Sequence, residues 1–151
     1  MFRTALTQLA ALSVMGITFN FDVDAVPETL HRGQLPALLV LPIDPQIDGL
    51  RFTDRGAGFE ALAFANSART ISYRVNHLML IAPLPLGAGM RSHLPRLIDL
   101  IDAYFTALSD HITLDGALLE PAKVQVEPGI YRYGGVDYVG CAFRHTWLIS
   151  G

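Results

Sequence analysis

Two long segments of alternating apolar and polar residues constrain the fold more than any other feature of the chain. In the first, from Ala68 to Ala82, the apolar face carries Ile71, Tyr73, Val75, His77, Met79 and Ile81. In the second, from Tyr138 to Ile149, the apolar face carries Val139, Cys141, Phe143, His145, Trp147 and Ile149. A period of two predicts β-strands, because successive side chains of a strand point to opposite faces.

The other face of the first segment changes character along its length. It begins with the polar residues Thr70, Ser72, Arg74 and Asn76 and ends with Leu78 and Leu80. We therefore expect the first part of this strand to be solvent-exposed on one face and the last part to be buried on both faces.

Shorter strands are predicted before and after these two segments. The apolar run from Leu35 to Pro42 carries prolines near its ends, which predicts a strand buried on both faces. Residues 17–21 alternate and predict a short strand or extended arm, and residues 59–64 predict a strand or a helical turn. Lys123 to Val126 and Tyr131 to Tyr133 predict two further strands, and the two glycines at 134–135 allow a tight hairpin turn.

Three-and-four spacing of apolar residues predicts two helices. The first covers residues 3–15, with Leu6, Leu9, Ala10 and Met15 near one face. The second covers residues 92–109, with Ser92 as N-cap and Pro95 in the first turn. Its buried stripe is predicted to be Leu94, Leu97, Ile98, Ile101, Phe105 and Leu108.

These elements predict a single domain over residues 1–151, since no linker, repeat or low-complexity segment divides the chain. The predicted fold class is α+β: a mixed, mostly antiparallel β-sheet with two main helices packed on one face.

The chain carries more apolar residues than a soluble domain of its size requires. Hydrophobic residues make up 51% of the 151 and charged residues 17%, whereas about a quarter is usual for charged residues. A membrane-spanning helix needs about 18 consecutive apolar residues, and the runs Leu35–Ile43 and Leu78–Leu86 are shorter and contain prolines. The apolar surplus therefore indicates contact with other copies of the chain, and no membrane is expected.

Charge argues against sequence-specific binding of nucleic acid. The formal net charge is −3, and the eleven Lys and Arg residues are scattered without forming a basic stripe. Contact with DNA would be passive, as in an acidic channel through which DNA slides.

Residue types that commonly carry catalysis are not arranged for it in this sequence. Cys141 and His145 share one face of a strand, but four residues separate them by roughly 13 Å, too far for a thiol–imidazole pair. We expect Cys141 in the core, and His77 and His145 as cross-strand neighbours with a structural or interface role. No catalytic residue is predicted, and the protein is expected not to be an enzyme.

Metal and cofactor sites are not predicted either. The five histidines lack the spacing of a zinc site, and no cluster of cysteines or carboxylates completes one. The Gly-x-Gly spots at 56–58 and 87–89 lack the further glycine and the lysine of a phosphate-binding loop.

A polar loop between the predicted strands is the candidate contact with a neighbouring subunit. Its mixed charges suit salt bridges to another copy and, equally, plain solvation, because exposed ion pairs are individually weak. The predicted interface residues are Asp44, Asp48, Arg51, Asp54, Arg55 and Glu60, together with one face of the sheet.

The order of elements resembles the tail terminator, or tail completion, family of long-tailed bacteriophages. The likeness runs from an N-terminal helix through an acidic connection to the proline-marked strand at residues 34–40. It continues with a long strand that ends at 80–83, a helix opened by a Gly/Ser turn, and the closing strand from Tyr138 to Ile149. The 44–68 segment is longer here than in lambda-like members.

The resemblance implies a non-catalytic virion protein. Members of the family form a hexameric ring on the end of the tail tube, which ends tube polymerisation and joins the tail to the head–tail connector or neck. DNA passes through the lumen of the ring. By this resemblance the partners are other copies of the chain, the tail tube protein and the connector or neck protein. Assembly would take place in the host cytoplasm, and the final location would be the virion.

Two alternatives remain open at this level. The nearest is another head–tail connector or neck ring protein. The other belongs to a different class, a small cytoplasmic oligomeric enzyme or ligand-binding protein with a pocket between sheet and helices.

Overall fold

A computed structural model of the chain describes residues 1–43, 58–64 and 69–151, with residues 58–64 as backbone only. Within these residues the helices are α1 (Phe2–Ala10) and α2 (Leu94–Ser109). The strands are β1 (Phe19–Phe21), β2 (Ala37–Leu41), β3 (Gly58–Phe64), β4 (Arg69–Pro83), β5 (Lys123–Tyr133) and β6 (Val136–Ser150). All six described strands form one sheet in the order β1-β2-β4-β6-β5, with β3 paired to β4.

The two long alternating segments form the centre of this sheet. Strands β4 and β6 run antiparallel over nearly their full length, from Thr70 opposite Ser150 to Pro83 opposite Tyr138. The prediction of a change in character along β4 is confirmed. Thr70 and Ser72 are half-buried and Arg74 is exposed, whereas Leu78 and Leu80 are fully buried.

Strands β2 and β3 lie end to end along the same edge of β4. β2 pairs antiparallel with β4 between Leu41 opposite Asn76 and Ala37 opposite Leu80, and β3 pairs with the preceding residues 69–74. β1 adds to β2 in parallel, which makes the sheet mixed but mostly antiparallel. The alternative of a helical turn for residues 59–64 is therefore wrong.

Both described helices pack on one face of the sheet, which confirms the predicted α+β architecture. Helix α1 contributes Ala5, Leu6 and Leu9 to this core, and α2 contributes Leu97, Leu100, Tyr104 and Leu108. They cover the face of β4 and β6 that carries Tyr73, Val75, Met79, Cys141, Phe143 and Trp147. Burial of these large side chains supplies the main stabilisation, since each is worth about 1.5–3 kcal/mol.

The opposite face of the sheet is covered at only one end. There Leu39, Leu78, Leu80 and Ala142 form a second apolar cluster beneath residues of the 21–35 connection. Tyr133 at the end of β5 donates a hydrogen bond from its hydroxyl to the carbonyl oxygen of Pro27, which ties this connection to the sheet. The polar end of β4 carries no comparable apolar cover among the described residues.

The N-terminal helix is shorter than its periodicity predicts: it ends at Ala10 and not at residue 15. Beyond it Leu12 and Val14 are buried, while Met15 is 85% exposed. Asn20 provides a physical reason. Its amide nitrogen donates to the carbonyl oxygens of Leu9 and Leu12, both at 3.2 Å, and so satisfies groups at the helix end that a longer helix would have paired itself.

Strand β5 is continuous, where the sequence predicts two short strands. Pro128 and Gly129 lie in its middle and pair with Cys141 and Gly140 of β6. Proline is tolerated there because β5 is the outermost described strand on this side of the sheet, so no neighbour needs its missing N–H. The hairpin at Gly134 and Gly135 is confirmed, with φ of 57° and 79°.

The buried stripe of α2 is also only partly as predicted. Leu97 and Leu108 are buried, but Leu94, Ile98 and Phe105 are 45%, 55% and 40% exposed. Leu100 and Tyr104 are buried in their place. The predicted N-cap is wrong as well, since His93 occupies that position and makes no side-chain cap, while Pro95 does lie in the first turn.

Candidate functional site

Most of the predicted interface loop lies outside the described residues. This holds for Asp44, Asp48, Arg51, Asp54 and Arg55. The sixth member, Glu60, lies in β3, where its backbone pairs with Ser72 of β4. These residues therefore remain a prediction.

The described chain instead contains a connected group of polar side chains buried between α2 and the sheet. Tyr104 of α2 places its hydroxyl oxygen 2.8 Å from His77 Nδ1 on β4 and 2.6 Å from His145 Nε2 on β6. His77 Nε2 lies 2.8 Å from Asn20 Oδ1, and Trp147 Nε1 lies 3.0 Å from His145 Nδ1. We call these five residues the buried polar chain.

The direction of every hydrogen bond in this chain follows from its two ends. The indole N–H of Trp147 only donates, so His145 Nδ1 accepts and its proton lies on Nε2, which donates to Tyr104. At the other end Asn20 Oδ1 only accepts, so His77 Nε2 donates to it and His77 Nδ1 accepts from the Tyr104 hydroxyl. All four hydrogen bonds are satisfied with both imidazoles neutral, and no described buried side-chain nitrogen or oxygen lacks a partner.

Burial opposes charge at each titratable member of this chain. Removal from water lowers the pKa of His77 well below its ordinary value, with a further lowering from His145. Burial also lowers the pKa of His145 to about 3 and raises the pKa of Tyr104 well above its ordinary value. Both imidazoles are thus neutral at neutral pH, in agreement with the assigned protons.

The prediction that His77 and His145 are neighbours on adjacent strands is confirmed, with their ring centroids 6.4 Å apart. They stand diagonally, since His77 pairs with Phe143 and His145 pairs with Val75. The two imidazoles do not bond to each other but meet through Tyr104. Sequence reasoning missed Tyr104 and Asn20, because neither shares an element with the histidines.

Chemically, the buried polar chain is closed to substrates. His77 is fully buried, His145 is 1% exposed, and the Tyr104 ring stacks on Phe143 at a centroid distance of 3.7 Å. Each donor and acceptor already has a partner within the protein. The buried polar chain fixes the positions of α2, β4 and β6 relative to one another and is suited to a structural role.

The thiol of Cys141 is similarly inert. It is fully buried, and burial raises its pKa to about 12. A protonated, inaccessible thiol is neither a nucleophile nor a metal ligand. The placement of Cys141 in the core is therefore confirmed.

A small hollow is present on the described surface. A surface hollow of about 40 Å³ lies between the end of α1 and the turn after α2, lined by Gln8, Ala11, Leu12, His111, Leu114 and Asp115. Ligand pockets usually measure about 300–1,000 Å³, so this hollow is several times smaller than a usual ligand site. No group of three or more potential metal ligands converges within the part of the chain that the structure describes.

Exposed apolar side chains are the other conspicuous feature of the described surface. At least 40% of the side chain is exposed at Met1, Met15, Phe19, Ile43, Leu86, Leu94, Ile98, Phe105, Ile112, Leu119, Ile130 and Val136. Three of them lie in a row on α2, and Ile130 lies on β5, an edge strand of the sheet. Grouped apolar side chains such as the α2 row are typical of surfaces that contact another macromolecule.

Among the described helices, none has both the length and the apolar character needed to cross a membrane.

Comparison with known proteins places the chain in no family. No family model matches it, and no curated protein or solved structure is significantly similar to it.

Proposed function

We propose that this chain is a non-catalytic structural protein of a phage virion, which assembles with copies of itself into a ring, most simply of six subunits, at the end of the tail tube. The ring caps the tube, ends its polymerisation and joins the tail to the head–tail connector or neck. DNA passes through its lumen without sequence-specific contacts.

Apolar surface that the fold leaves uncovered is the observation that carries this proposal. The described core is already extensive, with the sheet covered by both helices on one face. Even so, Ile98 of α2 and Ile130 of β5 remain about half exposed, and Phe105 is 40% exposed. A monomer would gain nothing from this exposure, whereas an assembly would bury it.

The layout of elements supports the specific choice of a tail terminator. It is the family that the sequence resembles from the N-terminal helix to the closing strand β6. Another connector or neck ring protein would share the need for a subunit interface and remains the nearest alternative. A small oligomeric enzyme or ligand-binding protein remains the alternative of a different class.

Mass measurement with and without tail tubes tests the proposal. The purified chain is analysed by light scattering and native mass spectrometry across a range of concentrations, and then mixed with tubes of the tail tube protein encoded by the same genome. We expect rings of six copies, free or bound to tube ends, and tubes that stop growing once capped. A chain that stays monomeric and leaves tube length unchanged would refute the assignment.

A further inference from the structure

Helix α2 carries a second apolar row beside its buried face. Leu94, Ile98 and Phe105, at 45%, 55% and 40% exposure, follow the spacing of neighbours on one side of a helix. Ile101 lies between this row and the core and is half-buried. The sheet covers only part of the apolar arc of α2, and the remainder faces outward.

The exposed row lies on the side of α2 opposite Gly16 and towards β6. On the α1 side of the helix, the Leu100 side chain packs so closely to Gly16 that a Cβ there would lie 2.9 Å from it. On the other side, the Phe105 ring packs edge-on against the Phe143 ring of β6, with their centroids 6.0 Å apart. Phe143 in turn pairs with Val126 of β5. The row therefore lies on the side of α2 that faces β6, the strand next to β5.

Strand β5 continues the apolar surface. Val124, Val126 and Ile130 share the helix-covered face of the sheet, since they pair with His145, Phe143 and Val139. Val124 and Val126 pack against the core and are half-buried, whereas Ile130 further along the strand is 47% exposed. We call the group Leu94, Ile98, Phe105, Val126 and Ile130 the α2–β5 surface.

The mode of contact is through side chains and not through strand addition. Pro128 lies in the middle of β5 and has no N–H to offer an incoming strand. A partner therefore does not extend the sheet along the whole of β5, and the apolar side chains are what this edge presents.

The area suits a protein interface. A large apolar side chain carries roughly 150–250 Å², so four such chains exposed by 40–55% present about 350 Å². A stable interface buries about 800 Å² on each partner, of which somewhat more than half is apolar. The α2–β5 surface thus supplies most of the apolar core of one interface.

Two acidic side chains border the exposed apolar row of α2 and influence which partners it can bind. Asp102 lies beside Ile98 and Phe105 on α2, and Asp99 lies one turn earlier; neither forms an ion pair with another described residue. An acidic rim repels anionic lipid and nucleic acid, whereas it suits a protein surface with an apolar centre and a basic neighbour.

This chain presents such a surface at the opposite edge of its own sheet. Phe19 of β1 is 46% exposed and stacks on Phe21 at 5.4 Å. Thr18 anchors the edge by two hydrogen bonds to the carbonyl oxygens of Leu35 and Pro36. Arg32, three residues before Leu35, is exposed and forms no ion pair within the described residues.

We propose that the α2–β5 surface of one copy docks on the β1 edge of the next copy, with Phe19 against Ile98 and Phe105 and with Arg32 facing Asp102. The two patches lie at opposite edges of the sheet, so each copy offers one of each. This is the arrangement of a head-to-tail interface, which closes into a ring when its rotation permits. The inference rests on the proposed ring and names the surfaces that build it.

Complementation between two variants tests this pairing. Ile98→Asp disables the α2–β5 surface and leaves the β1 edge intact, while Phe19→Asp does the reverse. Both positions are exposed, so circular dichroism and thermal unfolding should match the parent chain. Leu119→Asp is the matched control, because Leu119 is also 55% exposed but lies beyond the far end of β5, bonded to Leu148.

Each of the two variants should be monomeric where the parent chain assembles, with self-association weakened roughly 100-fold by a charge in the apolar contact. Their equimolar mixture should form a one-to-one heterodimer and nothing larger, because only one productive interface remains. Leu119→Asp should assemble like the parent.

Other outcomes overturn the inference and separate it from the proposed function. If Phe19→Asp assembles normally while Ile98→Asp does not, the α2–β5 surface pairs with a different patch. If both variants form rings, neither patch is the interface, although the ring itself stands. Two monomeric variants whose mixture gives no heterodimer also refute the pairing. A parent chain that is monomeric with and without tail tubes would remove the proposed ring and this inference together.

Discussion

The buried polar chain shows how five side chains can be placed in an apolar core without leaving a polar atom unpaired. Histidine is suited to this because a neutral imidazole offers one donor and one acceptor in fixed directions. Tyr104 then links two histidines from different strands, and Asn20 passes the last bond to the end of α1. The arrangement ties five elements, α1, β1, β4, α2 and β6, together through bonds of unique direction.

Replacing Tyr104 by phenylalanine should be costly even though the ring and its stacking on Phe143 remain. The change leaves His77 Nδ1 without a donor and His145 Nε2 without an acceptor, and each unpaired buried group costs about 1–3 kcal/mol. We expect the free energy of unfolding to fall by about 2–4 kcal/mol in urea denaturation.

Tyr138→Phe provides the control for Tyr104→Phe. Tyr138 is equally buried at 2% exposure, but its hydroxyl makes no hydrogen bond to a described residue. This variant should change stability by less than about 0.5 kcal/mol. Equal losses in the two variants would mean that the Tyr104 hydroxyl contributes nothing specific.

At the scale of elements, the β-bulge between β4 and β6 depends on one glycine. Leu80 pairs with Gly140 and Ala82 with Val139, so one residue of β4 is extra at this point. A Cβ on Gly140 would lie 2.1 Å from the Met79 carbonyl oxygen. Because this atom belongs to the backbone of the central strand, it cannot move aside without disturbing the pairing.

Gly140→Ala should therefore lower the free energy of unfolding by about 2–3 kcal/mol, as an overpacked core position does. Gly129→Ala is the matched control, since Gly129 pairs directly with Gly140 but has only Tyr131 Cε2 within 4.0 Å of the added carbon. It should be neutral or slightly stabilising in the same denaturation experiment. A neutral Gly140→Ala would contradict the tight approach of the two strands.

The elements that the sequence predicts well are the long strands, in which the alternation of apolar and polar residues directly reflects the two faces of the sheet. Strands β4 and β6 have a period of two over many residues, and the structure places their faces as expected. The limits of α1 and the continuity of β5 were not predictable in this way. The former depends on Asn20, which lies beyond the helix, and the latter on the position of β5 at the sheet edge.

Helix α2 illustrates a more general limit. Its spacing correctly indicates a wide apolar arc, but periodicity does not say which part of that arc the sheet will cover. The structure buries Leu97, Tyr104 and Leu108 and leaves Ile98 and Phe105 outside. The α2 part of the α2–β5 surface was not predicted, because Leu94, Ile98 and Phe105 were expected to belong to the buried stripe. The predicted interface residues between 44 and 55 lie outside the described residues, so their prediction cannot be compared with the structure.

At the scale of the whole molecule, the sheet should be most resistant to opening where strands lie on both sides. Residues 76–80 of β4 pair with β2 on one edge and with β6 on the other, and residues 140–145 of β6 pair with β4 and β5. Hydrogen exchange measured by NMR should be slowest at these amides and faster in α1 and β1. Slowest exchange in either α1 or β1 would contradict the central place of β4 and β6.

The buried histidines also couple the stability of the whole molecule to pH. Folding lowers the pKa of His77 and His145, so below about pH 6.5 the unfolded chain binds protons that the folded chain does not. Stability is thus fully present above the unfolded pKa and is lost as the pH falls towards the folded values, near 3 for His145. Each histidine contributes a slope of up to about 1.4 kcal/mol per pH unit.

His77→Gln separates this linkage from other effects of acid. A glutamine amide can donate to Asn20 and accept from Tyr104, as His77 does, but does not titrate. Urea denaturation between pH 7.5 and about 5, above the ordinary range of carboxyl groups, should give a limiting slope of about 2.7 kcal/mol per pH unit in the parent and about half of that in the variant. Equal slopes would mean that His77 takes up its proton without unfolding, and a flat parent profile would mean that the buried chain accommodates charge. Equal slopes would contradict the bond directions at His77, because a protonated His77 would turn an N–H towards the Tyr104 hydroxyl that donates to it. A flat parent profile would contradict them at His145 as well, because a protonated His145 would turn an N–H towards the N–H of Trp147.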